Sequence, residues 1–169
     1  MRKLLRLSLG LGCTLLGASC ATQPTTVTMR RGPDRITSVR TTAYTHTERG
    51  GARNAVGQRL SNSEVKSAAA DWSRWPLGTK FRILETNEVF KIDDYGAALV
   101  GTGTIDLYKS NRLAMKRWGV RSVDIDVIEW GSAEKSLKVL KPRKNNRCVR
   151  QMILGLEKSQ DSDPEITKF

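Results

Sequence analysis

The sequence predicts a small, mainly β domain, closed as a six-stranded barrel with one short helix. Three observations point there. Six short runs of strand character lie between residues 36 and 130. Only one segment among them carries a helical period. The connections are polar and glycine-bearing, and many short strands joined this way close most simply as a barrel.

Ile36 to Thr45 is β-branched and aromatic and reads as the first strand. Thr47 to Ser63 is polar, with Gly50, Gly51 and Gly57, and reads as a long loop. Long loops in compact domains are often functional. Lys66-Ser67-Ala68-Ala69-Ala70 is a run of small residues leading to Asp71. Pro76 and Gly78 break any helix and set a turn. Lys80–Glu85 and Glu88–Ile92 are two strands joined by Thr86-Asn87. Strand character returns at Ala97–Val100 and Thr104–Tyr108. Ser110 is positioned to cap a helix ending at Trp118, with Leu113, Ala114 and Trp118 on one face and Gly119 as its stop. Arg121 to Trp130 alternates, with Val123, Ile125 and Val127 inward and Asp124 and Asp126 on a solvated face. Ile128 breaks the phase, which predicts a bulge or a strand end.

The flanks differ from this body. Residues 1–20 read as an export signal: a basic start at Arg2, Lys3 and Arg6, then an apolar run too short to span a bilayer. Leu16-Gly17-Ala18-Ser19-Cys20 resembles a bacterial lipobox, with Gly17 where the motif usually has Leu. It makes Cys20 the lipidation site and the membrane a partner through that anchor; ordinary cleavage near Ala21 is the rival. Residues 21–35, rich in Thr, Pro, Arg and Gly, read as a tether, and residues 36–132 as the barrel. Residues 133–169 form a basic extension, with Val149, Met152, Ile153 and Leu156 on one face of a helix over 146–158. That helix either packs on the barrel or lies on an anionic membrane surface. Asp161 onward reads as disordered.

The chain has 169 residues and a net charge of +12. Residues 1–40 carry seven basic and one acidic side chain, residues 41–132 thirteen and eleven, and residues 133–169 nine and five. The excess therefore sits outside the folded body, which argues against a nucleic-acid partner and suits an anionic surface or polymer. Cys13, Cys20 and Cys148 are the only cysteines and His46 the only histidine. No zinc-type cluster or cofactor motif is present, and nothing near His46 resembles a nucleophile elbow. If Cys20 is not lipidated, a Cys20–Cys148 bridge remains open.

Chemistry concentrates between Ile92 and Tyr108. Asp94 and Asp106 each sit where a hydrophobic run meets a turn. Turns use Asp structurally, but a carboxyl buried beside apolar sequence has a raised pKa, which an acid catalyst needs.

Three motifs occur in order: Ala70-Asp71 with Pro76-Leu77-Gly78-Thr79, then Asp94-Tyr95-Gly96-Ala97-Ala98-Leu99-Val100-Gly101, then Ile105-Asp106-Leu107-Tyr108, followed by Trp118-Gly119. Together with Thr42-Ala43-Tyr44-Thr45 they resemble the three-aspartate (3D) domain over roughly residues 38–131. That domain is a bacterial double-psi β-barrel, similar to the catalytic barrel of membrane-bound lytic transglycosylase A and to stationary-phase muralytic enzymes. The turn Gly101-Thr102-Gly103-Thr104 carries an extra residue relative to the family pattern.

The resemblance implies an exported enzyme of the cell envelope. It would cleave the β-1,4 bond between N-acetylmuramic acid and N-acetylglucosamine in peptidoglycan glycan strands, leaving a 1,6-anhydro sugar. One carboxyl suffices, because the sugar's own C6 hydroxyl is the nucleophile, and no cofactor or metal is needed. Asp106 is implied as the acid and base, Asp94 as its catalytic neighbour, and Asp71 as a substrate contact or a holder of the Trp72–Thr79 loop. Tyr44, Thr45 and Trp75 are candidate sugar contacts beside core or turn roles. The alternative is a non-catalytic wall-binding barrel, since fold alone does not assign activity.

Overall fold

The structure, a computed structural model, describes residues 34–48 and 50–161. The expected export signal, Cys20, residues 21–33 of the expected tether and residues 162–169 lie outside the described residues. No described helix is long and apolar enough to cross a membrane.

Six strands form a closed barrel: β1 (Asp34–Tyr44), β2 (Val65–Ala69), β3 (Lys80–Ile83), β4 (Val89–Asp94), β5 (Ile105–Tyr108) and β6 (Arg121–Glu129). Their neighbour order is β1-β5-β2-β4-β3-β6. β1 with β5 and β2 with β4 run parallel, and the other pairs are antiparallel. The period-2 pattern fills the interior. Phe81 and Ile83, Phe90 and Ile92, Ile105 and Leu107, and Val123, Ile125 and Val127 all point inward and are buried.

Irregular positions shape the barrel. Opposite β3, Lys80 pairs with Glu129 and Phe81 with Val127, so Ile128 is an extra residue, as its broken phase predicts. In β1 the register slips between Ile36 and Val39. Ser38 there has a positive φ of 58°, and its N–H donates to Asp124 Oδ1 at 2.9 Å. Asp126, its neighbour on the outer face, pairs with Arg35. In β4 the slip falls at Asp93: Ala68 pairs with Ile92 and Ala69 with Asp94. A bulge of this kind re-aims the side chain that follows it.

Among the described residues three α-helices accompany the barrel. α1 (Arg112–Trp118) is the predicted short helix, but its cap is Asn111, not Ser110. Asn111 Oδ1 accepts the Ala114 N–H at 2.8 Å. Leu113, predicted on the buried face, is 68% exposed. α2 (Ala133–Leu140) and α3 (Arg147–Asp161) make up the extension. Leu137 and Leu140 join Val149, Met152 and Leu156 in the same core as the barrel residues, so the extension packs on the barrel. Gly155 permits this seat: a Cβ there would lie 2.6 Å from Ser73 Cβ. Cys148 is a buried free thiol.

Two segments differ from the sequence reading. Ala97–Val100 is not a strand: Ala97–Leu99 forms a 3-10 turn in which Leu99 alone is buried. Residues 65–69 are a strand, lying between β4 and β5 and buried from Ser67 onward. Alanine is a poor strand former, and its burial here overrides that propensity.

Candidate functional site

The bulge in β4 and the start of β5 bring two carboxyls into one row. Ala69 on β2 is the register partner of Asp94 on one side and of Asp106 on the other. Thr42 on β1 is the next partner beyond Asp106. The row Thr42–Asp106–Ala69–Asp94 thus crosses four adjacent strands. Asp94 and Asp106 stand two strand spacings apart, about 10 Å between Cα atoms.

A cleft of about 540 Å³ opens over this row. Asp94, Ala69 and Asp106 line it, with Tyr44 and Thr45 from the end of β1, Glu48 from the long loop, and Tyr95 to Leu99. Its size falls within the usual range for ligand sites. Among the described residues none of those lining the cleft is basic.

Each acidic side chain is held differently. Asp94 Oδ1 accepts the Tyr95 N–H at 2.9 Å, and Oδ2 accepts the Tyr44 hydroxyl at 3.4 Å. Burial pushes Asp94 up to about 6, and the charge of Asp93 adds to the push; the Tyr95 and Ala55 amides and the Tyr44 hydroxyl pull back. Asp106 Oδ1 accepts the Thr42 hydroxyl at 2.6 Å. Burial raises Asp106 as well, the Thr42 bond opposes it, and Glu48 adds a like charge. Asp93 is 4% exposed, accepts the Ser67 hydroxyl at 2.8 Å, and is also raised by burial. Tyr44 is raised by its own burial and then by Asp94, Asp93 and Asp106. Its hydroxyl therefore stays protonated and can only donate or accept hydrogen bonds.

The cleft wall is fixed from behind. Trp72 Nε1–H donates to the Asp94 carbonyl at 2.8 Å, and the Trp72 ring meets Tyr95 edge-on at 5.2 Å. Tyr108 packs on Tyr44 at 5.6 Å, and its hydroxyl is 2.9 Å from His46 Nδ1.

Of the six candidate residues, Asp94, Asp106, Tyr44 and Thr45 line the cleft. Asp71 does not. It is 4% exposed, and Oδ1 accepts both the N–H and the hydroxyl of Ser73, at 2.9 and 2.7 Å. Oδ2 accepts the Gly101 N–H at 2.8 Å. Asp71 thus ties the turn after β2 to the turn before β5. Gly101 and Gly103, with φ of 80° and 69°, take the left-handed backbone that the longer turn requires. Asp106 pairs with Thr42 on one side and Ala69 on the other. Trp75 is also outside the cleft, 2% exposed and stacked under Trp130.

Glu48 is the carboxylate that sequence reasoning missed. Asp94 was the anticipated charged neighbour of Asp106, but Glu48 is the acidic group that raises it. No local pattern marks Glu48; only its place in a long glycine-bearing loop hints at it. Among the described residues no group of three or more His, Cys, Asp or Glu side chains is arranged to hold a metal. No family model matches the chain, and no curated protein matches it.

Proposed function

We propose that this protein is an exported peptidoglycan lytic transglycosylase, built on a double-psi barrel of the three-aspartate type. The mixed barrel supports the fold reading, because its two parallel pairs, β1 with β5 and β2 with β4, are joined across one another. The observation that carries the functional reading is that Asp94 and Asp106, both with raised pKa values, line one cleft.

In this reading a glycan strand lies in the cleft with its scissile bond beside Asp106. The protonated carboxyl donates to the glycosidic oxygen as the bond to C1 breaks. The C6 hydroxyl of the same sugar attacks C1, and the carboxylate takes its proton, closing the 1,6-anhydro ring. The carboxyl ends protonated, ready for another turnover. Bound glycan excludes water and raises the acid further. Asp94 and the protonated Tyr44 hydroxyl face the positive charge that develops at C1 and hold the sugar's hydroxyls. Thr42 orients the Asp106 carboxyl through its 2.6 Å bond. Export depends on residues 1–20, and lipid on Cys20 would hold the barrel at the envelope membrane.

Incubating the mature protein with purified peptidoglycan and analysing the soluble products by mass spectrometry tests this. Anhydro-ended muropeptides support it. Sedimentation with peptidoglycan and no products would leave the wall-binding alternative. The mass of the mature N-terminus reports whether Cys20 carries lipid.

A further inference from the structure

Three of the four tryptophans are buried, but Trp130 is 46% exposed. Its indole is nonetheless fixed. It stacks on Trp75 with centroids 5.9 Å apart and planes 13° apart, and its Nε1–H donates to Asp34 Oδ2 at 2.8 Å. The next two residues lock the backbone to the Pro76–Thr79 turn. Gly131 N–H donates to Thr79 Oγ1 at 3.0 Å, and Ser132 N–H to the Leu77 carbonyl at 3.1 Å. A Cβ at Gly131 would lie 2.2 Å from the Pro76 carbonyl oxygen, so only glycine fits.

This ring lines a second pocket of about 460 Å³, whose rim includes Gln58, Lys91, Glu129, Ser132 and Lys135. A flat apolar surface ringed by amide, hydroxyl and charged groups matches a pyranose. The sugar's C–H face covers the indole while its hydroxyls reach the rim. Lys91 and Lys135 stand against Asp93 and Glu129 in the same lining, so the charges balance and the rim offers both donors and acceptors to sugar hydroxyls. Because the indole is already immobilised, binding costs little ordering.

The second pocket adjoins the first. Asp93 lines it and Asp94 lines the carboxylate cleft, on consecutive residues of β4. The turn from Asn54 to Gln58 touches both: the Ala55 amide helps hold the Asp94 charge, while Val56 and Gln58 line the second pocket. We infer that Trp130 is the floor of a second saccharide site, which grips a glycan chain beyond the cleft. This rests on the proposal that the ligand is a glycan.

The test uses the full mature chain carrying Asp106→Asn, so that the probe is not consumed. The probe is soluble, peptide-free peptidoglycan glycan strands, with Kd measured by calorimetry. Adding Trp130→Ala is expected to weaken binding about tenfold. Trp130→Phe keeps an aromatic floor and most of the affinity, and Lys135→Glu weakens binding by a smaller factor. Should Trp130→Ala fail to fold, Gln58→Ala and Lys135→Glu decide. Affinity unchanged by the rim and floor substitutions overturns the second site, and so does failure of the parent chain to bind the strands. Anhydro products from the wild-type chain would stand in either case, which separates this inference from the proposed activity.

Discussion

Asp94 and Asp106 are twelve residues apart in sequence, yet both are register partners of the same residue, Ala69. The slip at Asp93 makes this possible. Were β4 to continue in register past Ile92, the residue opposite Ala69 would be Asp93, and Asp94 would not share a face with Asp106. Asp94→Asn should therefore impair the cleft without disturbing the barrel. We expect loss of activity that is smaller than for Asp106→Asn, with unchanged circular dichroism. The reverse order of losses would assign the acid to Asp94.

The raised pKa of Asp94 has a consequence for stability. The folded value is about 6 and the ordinary value 3.8. Below both values the carboxyl is neutral in either state, and no penalty arises. As pH climbs from about 4 to 6, the unfolded chain loses its proton first, so folding stability falls. Above about 6 the penalty is complete, up to roughly 3 kcal/mol. Asp94→Asn removes it. Its Tm relative to wild type should be higher at pH 7.5 than at pH 4, and an equal difference at both would contradict the assignment.

In the proposed mechanism Glu48 tunes the acid. Its charge raises Asp106, so Glu48→Gln lowers that pKa and leaves less of the protonated donor at a given pH. The alkaline limb of the activity profile should move to lower pH, with the acid limb unaffected by this charge. A profile that scales down uniformly would mean Glu48 serves only to bind.

Asp71 works at a distance from the cleft. Asp71→Ala strands buried donors on Ser73 and Gly101, at a cost of about 2–4 kcal/mol. Denaturant unfolding should show that loss, and activity should fall because the Gly101–Thr104 turn no longer sets the start of β5. Full stability in this variant would remove the clamp.

Gly131→Ala drives a methyl group into two carbonyl oxygens. The strain should cost about 2 kcal/mol or more. The emission of Trp130, the exposed indole, should shift as its stack on Trp75 loosens, and an unchanged spectrum and Tm would contradict the lock.

Much of the barrel was legible because its strands obey period 2: Val123, Ile125 and Val127 point inward as read, and even Ile128 announced its bulge. β2 was not legible, because a strand of alanines carries no propensity signal and is made by its neighbours on either side. The turn at Ala97–Leu99 was misread for the opposite reason, since its apolar residues look like a strand but find no partner. Within the site, the aspartates at turn boundaries were visible and their roles were not equally so. Asp71 and Asp94 look alike in sequence; one is spent on backbone donors and the other opens into a cleft. Glu48 and Trp130 reach their pockets only through the folded path of a loop and a strand end.

The account stands or falls on the products released from purified peptidoglycan, analysed by mass spectrometry for wild type and Asp106→Asn side by side. It predicts anhydro-ended muropeptides from the wild type and a rate lower by about 10²–10⁴ in the variant. Hydrolysed reducing ends, no release at all, or equal release by both proteins would contradict it.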